Sequence, residues 1–449
     1  MPRFTLRSAA LSLLLAGLGC TAAHAADLQQ TLQLALENDP QYAAARANAA
    51  AGREKMPQAL AAILPTVNLT AGTNWNNSDY TRRVENAATS NLKYNSNNWA
   101  VTLTQPLFRW QAWVAYDEAK LLVAQSETQL QQARQDLILR TTQAYFDVLY
   151  AQSNLAALKA QKAAIVQQLE QAKKNFEVGN ATITDTHEAQ ARYDLADAQE
   201  IAAESDLEVK RRTLQAIIGK EAGELADLRA GAAIEPPQPA QMDKWVDAAE
   251  KDNLNVQIQQ ASADVAAKEV SRIRASHLPT LDLVASRSRN SASGAMAMGT
   301  ISPGYDNDVS AVGLQLNIPL FQGGAVVSQQ RAAEASRDAA AAGLENARRG
   351  AALGARQAYL GVVNGVAQVK ALEAAQRSSQ SSLESNKLGY EVGVRINIDV
   401  LNAEQQLTTT RTSLARARFD TLLAQLKLKA AVGTLDDEDV SRINALLQK

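Results

Sequence analysis

Residues able to do acid–base, nucleophilic or metal chemistry are few in this chain and scattered. The histidines are His24, His187 and His277, and the one cysteine is Cys20. No histidine or cysteine cluster has metal-ligand spacing, and there is no glycine-rich phosphate loop and no nucleophile elbow. Neither catalysis nor a cofactor is expected. The acids that stand out do so by position. Asp185 and Asp399 each close a short Val-Gly turn, over 178–185 and 392–399. Gly179 and Gly393 suit the end of one helix, and an aspartate suits the start of the next, where it meets the positive end of the dipole.

Those turns are 214 residues apart, and so is much else. Leu64-Pro65-Thr66 returns as Leu278-Pro279-Thr280, Ala144-Tyr145 as Ala358-Tyr359, and residues 214–219 (LQAIIG) as 428–433 (LKAAVG). Pro106-Leu107-Phe108 returns as Pro319-Leu320-Phe321, one residue early, which places a deletion in the intervening loop. The chain is a twofold repeat, and each reading can be checked in the other copy. The first repeat covers 26–219 and the second 245–433, with a linker over 220–244 and a tail over 434–449.

Residues 1–25 read as a secretory signal peptide. Arg3 and Arg7 precede the apolar run 9–18, and Ala23-His24-Ala25 is a small-residue cleavage signal. Cys20 is a rival lipidation site, but Gly17 stands where such sites usually carry leucine. Without Arg3 and Arg7, 43 of the 45 basic residues face 47 acidic ones, a net charge near −4. That balance excludes a nucleic-acid footprint. Beyond the signal, no apolar run reaches the roughly 20 residues of a membrane helix, so the mature chain is soluble or crosses a membrane as strands.

Composition favours helix. In the first repeat, helices are expected over 110–178 and 185–218; in the second, over 324–391 and 399–432. Between Trp110 and Glu177 there is no glycine or proline. That stretch would span roughly 100 Å as one helix, too long to bury in a globule, so it must be a rod packed on other rods. Its apolar residues keep a 3-4 rhythm from Leu130 and Leu137 through Val148 and Leu155 to Leu169 and Phe176, interrupted at Thr141 and Lys162. The second rod carries five glycines between Gly343 and Gly365 and should be less stiff.

Strands are expected over 65–76 and 98–106, and again over 279–286 and 309–319. Each alternates one apolar and one polar face: Val67, Leu69 and Ala71 against Asn68, Thr70 and Gly72, for example. Segments of about ten residues with this alternation mark transmembrane barrel strands. Trp75 and Trp99 sit at the loop-side ends, and Trp110 and Trp113 just past the other end, as two interfacial belts require. The joining loops, 76–98 and 287–308, are polar. Four strands cannot close a barrel when about eight are the minimum, and lipid does not tolerate open edges. The barrel must therefore be shared by two or three copies.

The repeat, the Leu-Pro-Thr start of the first strand, the Pro-Leu-Phe exit from the second and the Val-Gly-x-x-x-x-x-Asp turn together resemble the TolC family of outer-membrane efflux and secretion channels. The resemblance covers the whole mature chain. It implies a homotrimer with a shared twelve-stranded barrel in outer-membrane lipid and a long α-helical tunnel through the periplasm. A mixed belt would come from 220–244 and 434–449. It also implies a periplasmic adaptor (membrane fusion) protein and an inner-membrane ABC or proton-driven pump as partners. The helix-to-helix turns then become a closed tip. Asp185 with Tyr390 and Arg395 would be the gate links, and Asp399 the acid of the pore-entrance ring. Many members carry a second acid three residues on; here it is Asn402, which weakens the expected attraction for cations.

Two other classes account for less. A periplasmic coiled-coil scaffold without a pore explains the helices but not four alternating strands ending in tryptophan. A secreted pore-forming toxin does not require barrel strands in both halves.

Overall fold

A computed structural model describes residues 26–81, 83, 89–179, 182–229, 231–297 and 300–448, with side chains between 295 and 302 left aside. The signal peptide and Cys20 lie outside the described residues. The first repeat opens with three helices, α1 (Leu28–Asn38), α2 (Pro40–Arg53) and α3 (Lys55–Ala61). Strands β1 (Thr66–Thr81) and β2 (Thr89–Phe108) follow, then the helices α4 (Trp110–Glu177) and α5 (Ile183–Ile218). The second repeat runs α6 (Met242–Asp252), α7 (Leu254–Arg274), β3 (Thr280–Ala297), β4 (Thr300–Asn317), α8 (Ala325–Glu391) and α9 (Asn397–Ala431), and α10 (Asp437–Asn444) closes the chain.

The same local chemistry builds both halves. Asp39 ends α1 and caps α2, accepting from the Tyr42 amide at 2.7 Å, with Pro40 in the first helical turn. Its repeat counterpart, Asn253, caps α7 by accepting from the Asn255 and Val256 amides. Gly219 and Gly433 both take a positive φ at the far ends of α5 and α9. At Gly433 a Cβ would meet the Asp252 carbonyl oxygen at an impossible distance, so a side chain is excluded there on steric grounds as well.

Helices α4 and α5 form one antiparallel hairpin and α8 and α9 another. The rhythm on α4 is its packing seam: Leu137, Ala144, Val148, Ala151, Ile165, Leu169 and Ala172 are buried, while Phe176 at the far end is exposed. Thr141 does not interrupt the seam. It is fully buried, small enough to be enclosed even though its hydroxyl finds no partner among the described residues. Lys162 is a true break, and α5 supplies its partners, Asp197 at 2.5 Å and Glu200 at 2.9 Å. Despite its glycines, α8 is one unbroken helix.

The core lies at mid-length, where α4, α9, α1, the linker and the tail meet. Tyr145, Phe146 and Leu149 pack there with Leu422, Leu426, Leu28 and Leu447. Phe146 stacks on Phe419, ring centres 5.3 Å apart. The Tyr145 hydroxyl donates to the Ala226 carbonyl at 2.8 Å and lies 3.1 Å from that of Ala26. Its counterpart Tyr359 donates to the Ala240 carbonyl. The two tyrosines therefore pin the two ends of the linker, and short bridges from Ala26 to Leu225 and from Leu228 to Leu447 tie it to the residues before α1 and to the tail.

The four strands make one antiparallel sheet in the order β1-β2-β3-β4, so β1 and β4 are its edges. They run further than their apolar alternation suggests, well into the stretches expected to be loops. Polar cross-strand bonds carry them: Asn76 to Ser96 at 2.9 Å, Asn91 to Asn77 at 2.9 Å and Thr81 with Thr89 at 2.7 Å. Trp75 and Trp99 consequently lie inside strands rather than at their ends, facing Asn95 and Ala71. Trp110 and Trp113 begin α4, half-exposed. Among the described residues, no helix is long and apolar enough to cross a membrane.

Candidate functional site

The turns from α4 to α5 and from α8 to α9 lie at the same end of the two hairpins. Gly179 (φ 76°) and Gly393 (φ 79°) reverse the chain there, conformations costly for any residue with a Cβ. Asp185 sits three residues into α5 and closes a capping box. Its carboxylate accepts from the Thr182 amide at 3.0 Å and the Thr182 hydroxyl at 2.9 Å. The second repeat has Ile396 at the cap position, with no side-chain bond. Asp399 is thereby left to face Arg395, with Nη1 3.6 Å from Oδ2 and the guanidinium largely exposed.

Arg395 has a specific seat. A Cβ on Gly389 would lie 2.7 Å from its Cγ, so the arginine stem crosses α8 only because residue 389 is glycine. The Gly389 carbonyl also accepts from the Val394 and Arg395 amides. The repeat counterpart of Gly389 is Asn175, and it does a different job. Its side-chain amide donates to the Tyr390 hydroxyl at 3.1 Å, joining the first hairpin to the second. A second such tie runs from Arg192 on α5 to the Asn402 side chain on α9 at 3.0 Å. Further from the tip, Gln161 donates to Gln405 at 2.9 Å.

Within one chain, then, Tyr390 and Asn402 are held by residues of the other repeat, Asn175 and Arg192, which sequence reasoning did not single out. Asp185 contributes to its own helix cap, and Arg395 pairs with Asp399. The only sequence signal for Asn175 is a negative one: an asparagine where the other repeat has glycine. The tip is also apolar on its surface. Val178, Val392, Val394 and Ile396 are each more than half exposed. No group of acids, histidines or cysteines able to hold a metal occurs among the described residues.

Comparison with known proteins places this architecture. The family profile described as outer membrane efflux protein matches twice, over residues 31–220 and 245–434, the two structural repeats. The chain is 35% identical to the outer membrane protein TolC of Vibrio cholerae, across 95% of each chain. It is 31% identical to the proteases secretion protein PrtF of Dickeya chrysanthemi, across 98% of this chain and 96% of that one. The crystal structure of the Campylobacter jejuni CmeC outer membrane channel has the same fold, with a TM-score of 0.77 at 16% identity over 100% of this chain and 98% of that one. Fold and sequence thus define an outer-membrane efflux or secretion channel protein that reaches into the periplasm. The chain belongs to the outer membrane efflux protein family.

Proposed function

We propose that this protein is the exit duct of a tripartite export system: a homotrimer whose copies share one twelve-stranded barrel and one helical tunnel, closed at rest at the periplasmic tip. It is a passive conduit and not an enzyme. A periplasmic adaptor protein opens it, and an inner-membrane ABC or proton-driven pump supplies cargo and energy. The observation that carries this reading is the open sheet. Its edges, β1 and β4, have no further strand beside them among the described residues, and lipid does not tolerate an open sheet edge, so further copies must close it. The apolar rows Val67–Leu69 on β1 and Val312–Leu314–Leu316 on β4 are more than half exposed, as a lipid-facing surface is.

The gate is assigned to the tip. Inside each chain, Asn175–Tyr390 and Arg192–Asn402 hold the two hairpins together. The gate links are Asp185 with Tyr390 and Arg395, the exposed Arg395 reaching Asp185 of the neighbouring copy, and Asp399 with Asn402 lines the opening. Three Asp399 carboxylates around a narrow passage favour cations. An assembly closed by a few exposed polar contacts is bistable, and an adaptor that binds the open form better shifts it. The apolar rim at Val178, Val392 and Val394 is the surface offered to that adaptor. Trp110 and Trp113 mark the inner membrane–water interface of the barrel, with Trp75 and Trp99 towards the outer one.

The test is single-channel recording in planar bilayers. Wild type should give small cation-preferring steps, and Arg395→Ser with Tyr390→Phe should raise the conductance. A protein that inserts yet shows no discrete steps in either form refutes the duct.

A further inference from the structure

The sheet obeys the repeat residue by residue. Adding 214 takes β1 onto β3, and adding 213 takes β2 onto β4. Thr66 facing Thr104 then becomes Thr280 facing Asn317, and Leu69 facing Val101 becomes Leu283 facing Leu314; all four pairings occur. The hairpins are joined inside the chain by β2 and β3, with Thr104 facing Val284 and Val101 facing Arg287. In that junction, up to the bulge at Pro106, facing residue numbers add to 388. The same shift applied to it gives a junction that one chain cannot make with itself, between β4 and β1, whose numbers add to 387.

We propose that β4 of one copy pairs antiparallel with β1 of the next in this register: Asn317 opposite Thr70, Leu314 opposite Thr73, Val312 opposite Trp75. The proposal rests on the shared-barrel reading and names its seam. A second observation agrees. In this register the apolar faces run on across the seam, with Leu69 beside Ile318, Ala71 beside Leu316 and Trp75 beside Val312, while Thr70 and Gly72 meet Asn317 and Gln315. A slip of one residue would turn every apolar side chain of β1 against the polar face of β4. One position opposes like charges, Asp79 and Asp308, and Arg289 of the same chain already lies within 4.0 Å of Asp308 to offset them.

The repeat also makes the two kinds of junction unequal. Inside the chain, the base of the β2–β3 junction is clasped by Arg109, whose Nε and Nη2 donate to both carboxylate oxygens of Asp282 at 2.8 and 2.7 Å. Asp282 is buried. The counterparts at the seam are Gln322 and Asn68. A neutral amide pair stands where the chain has a bidentate ion pair, so the seam between copies is the weaker joint of the barrel.

Cysteine pairs test the register, since the chain from Ala26 onward contains no cysteine. Thr70→Cys with Asn317→Cys, and separately Thr73→Cys with Leu314→Cys, are oxidised in outer membranes and run unreduced after full denaturation. The two pairs lie three positions apart, so one of them falls on the narrow pair type, where Cα atoms lie about 4.5 Å apart and a disulfide fits. The expected result is a covalent ladder ending at three chains from at least one pair. The slipped pair Thr70→Cys with Leu316→Cys should give at least about tenfold less product. Thr104→Cys with Val284→Cys and, separately, Val101→Cys with Arg287→Cys are the equivalent pairs within the chain; at least one of them should close without joining copies, which reports that the sheet is folded. Closure of an internal pair with no ladder from its seam counterpart overturns the register, as does a stronger ladder from the slipped pair. If the detergent-extracted protein is then still three chains by mass, only the register has failed. If it is a single folded chain, the shared barrel has failed as well.

Discussion

In the proposed duct, cutting the two ties between the hairpin tips should loosen the closed end. Asn175→Ala removes the bond to the Tyr390 hydroxyl, and Arg192→Ala removes the bond to the Asn402 side chain. Both bonds lie at least partly in water, so each contributes about 1 kcal/mol. The double variant therefore loses about 2 kcal/mol per chain, close to a 30-fold shift towards a separated pair of hairpins in each copy. If three copies must part together, the shifts compound, and a tip closed by a few kcal/mol is open for a measurable fraction of the time. In planar bilayers the double variant should show a higher mean conductance or frequent excursions to a wider level. Gln190→Ala is the control: its bond to Asp194 stays within α5, at 2.9 Å, and ties nothing across. That variant should conduct like wild type. A trimeric Asn175→Ala/Arg192→Ala protein with wild-type conductance and dwell times would show that these bonds do not restrain the tip.

Asp399→Ala should lower cation preference and weaken block by multivalent cations, measured by reversal potentials and added blockers, with the protein still trimeric. Gly389→Ala leaves the α8 backbone helical but puts a methyl carbon 2.7 Å from Arg395 Cγ; it should displace the arginine and raise conductance as Arg395→Ser does, with helical content by circular dichroism unchanged or slightly higher. Tyr145→Phe leaves a buried carbonyl unpaired at the linker, costing about 1–3 kcal/mol, and should lower the thermal midpoint. Tyr359→Phe, whose hydroxyl bond is exposed although the ring is partly buried, should lower it less.

The rods were legible because their information is local. An unbroken run without glycine or proline, with apolar residues every three or four positions, leaves α4 no other conformation in which to bury Leu137, Val148 and Leu169. Thr141 was misread as a break because polarity was weighed over size; the threonine is small enough to be buried in the seam with its hydroxyl unpaired among the described residues. The strand ends were misread for the opposite reason. Asn76, Asn77, Asn91 and Ser96 look like loop residues, yet across a hairpin they satisfy one another. The repeat made the tip legible as a pair of turns and placed Asp185 and Asp399 at helix starts, where they are. The tip's partners were not legible. Asn175 meets Tyr390 from 215 positions away, and no local pattern encodes such a meeting. Arg109 and Asp282 are 173 positions apart, and their contact depends on the chain's own sheet register.

The most direct measurement is a cryo-electron microscopy map of the purified protein in lipid nanodiscs. The account requires three copies around one axis, twelve strands in a closed barrel with β4 of each copy beside β1 of the next, and a tip narrowed by Arg395 of each copy against Asp185 of its neighbour. A closed barrel built from a single chain, or three separate four-stranded sheets with no common passage, would contradict it.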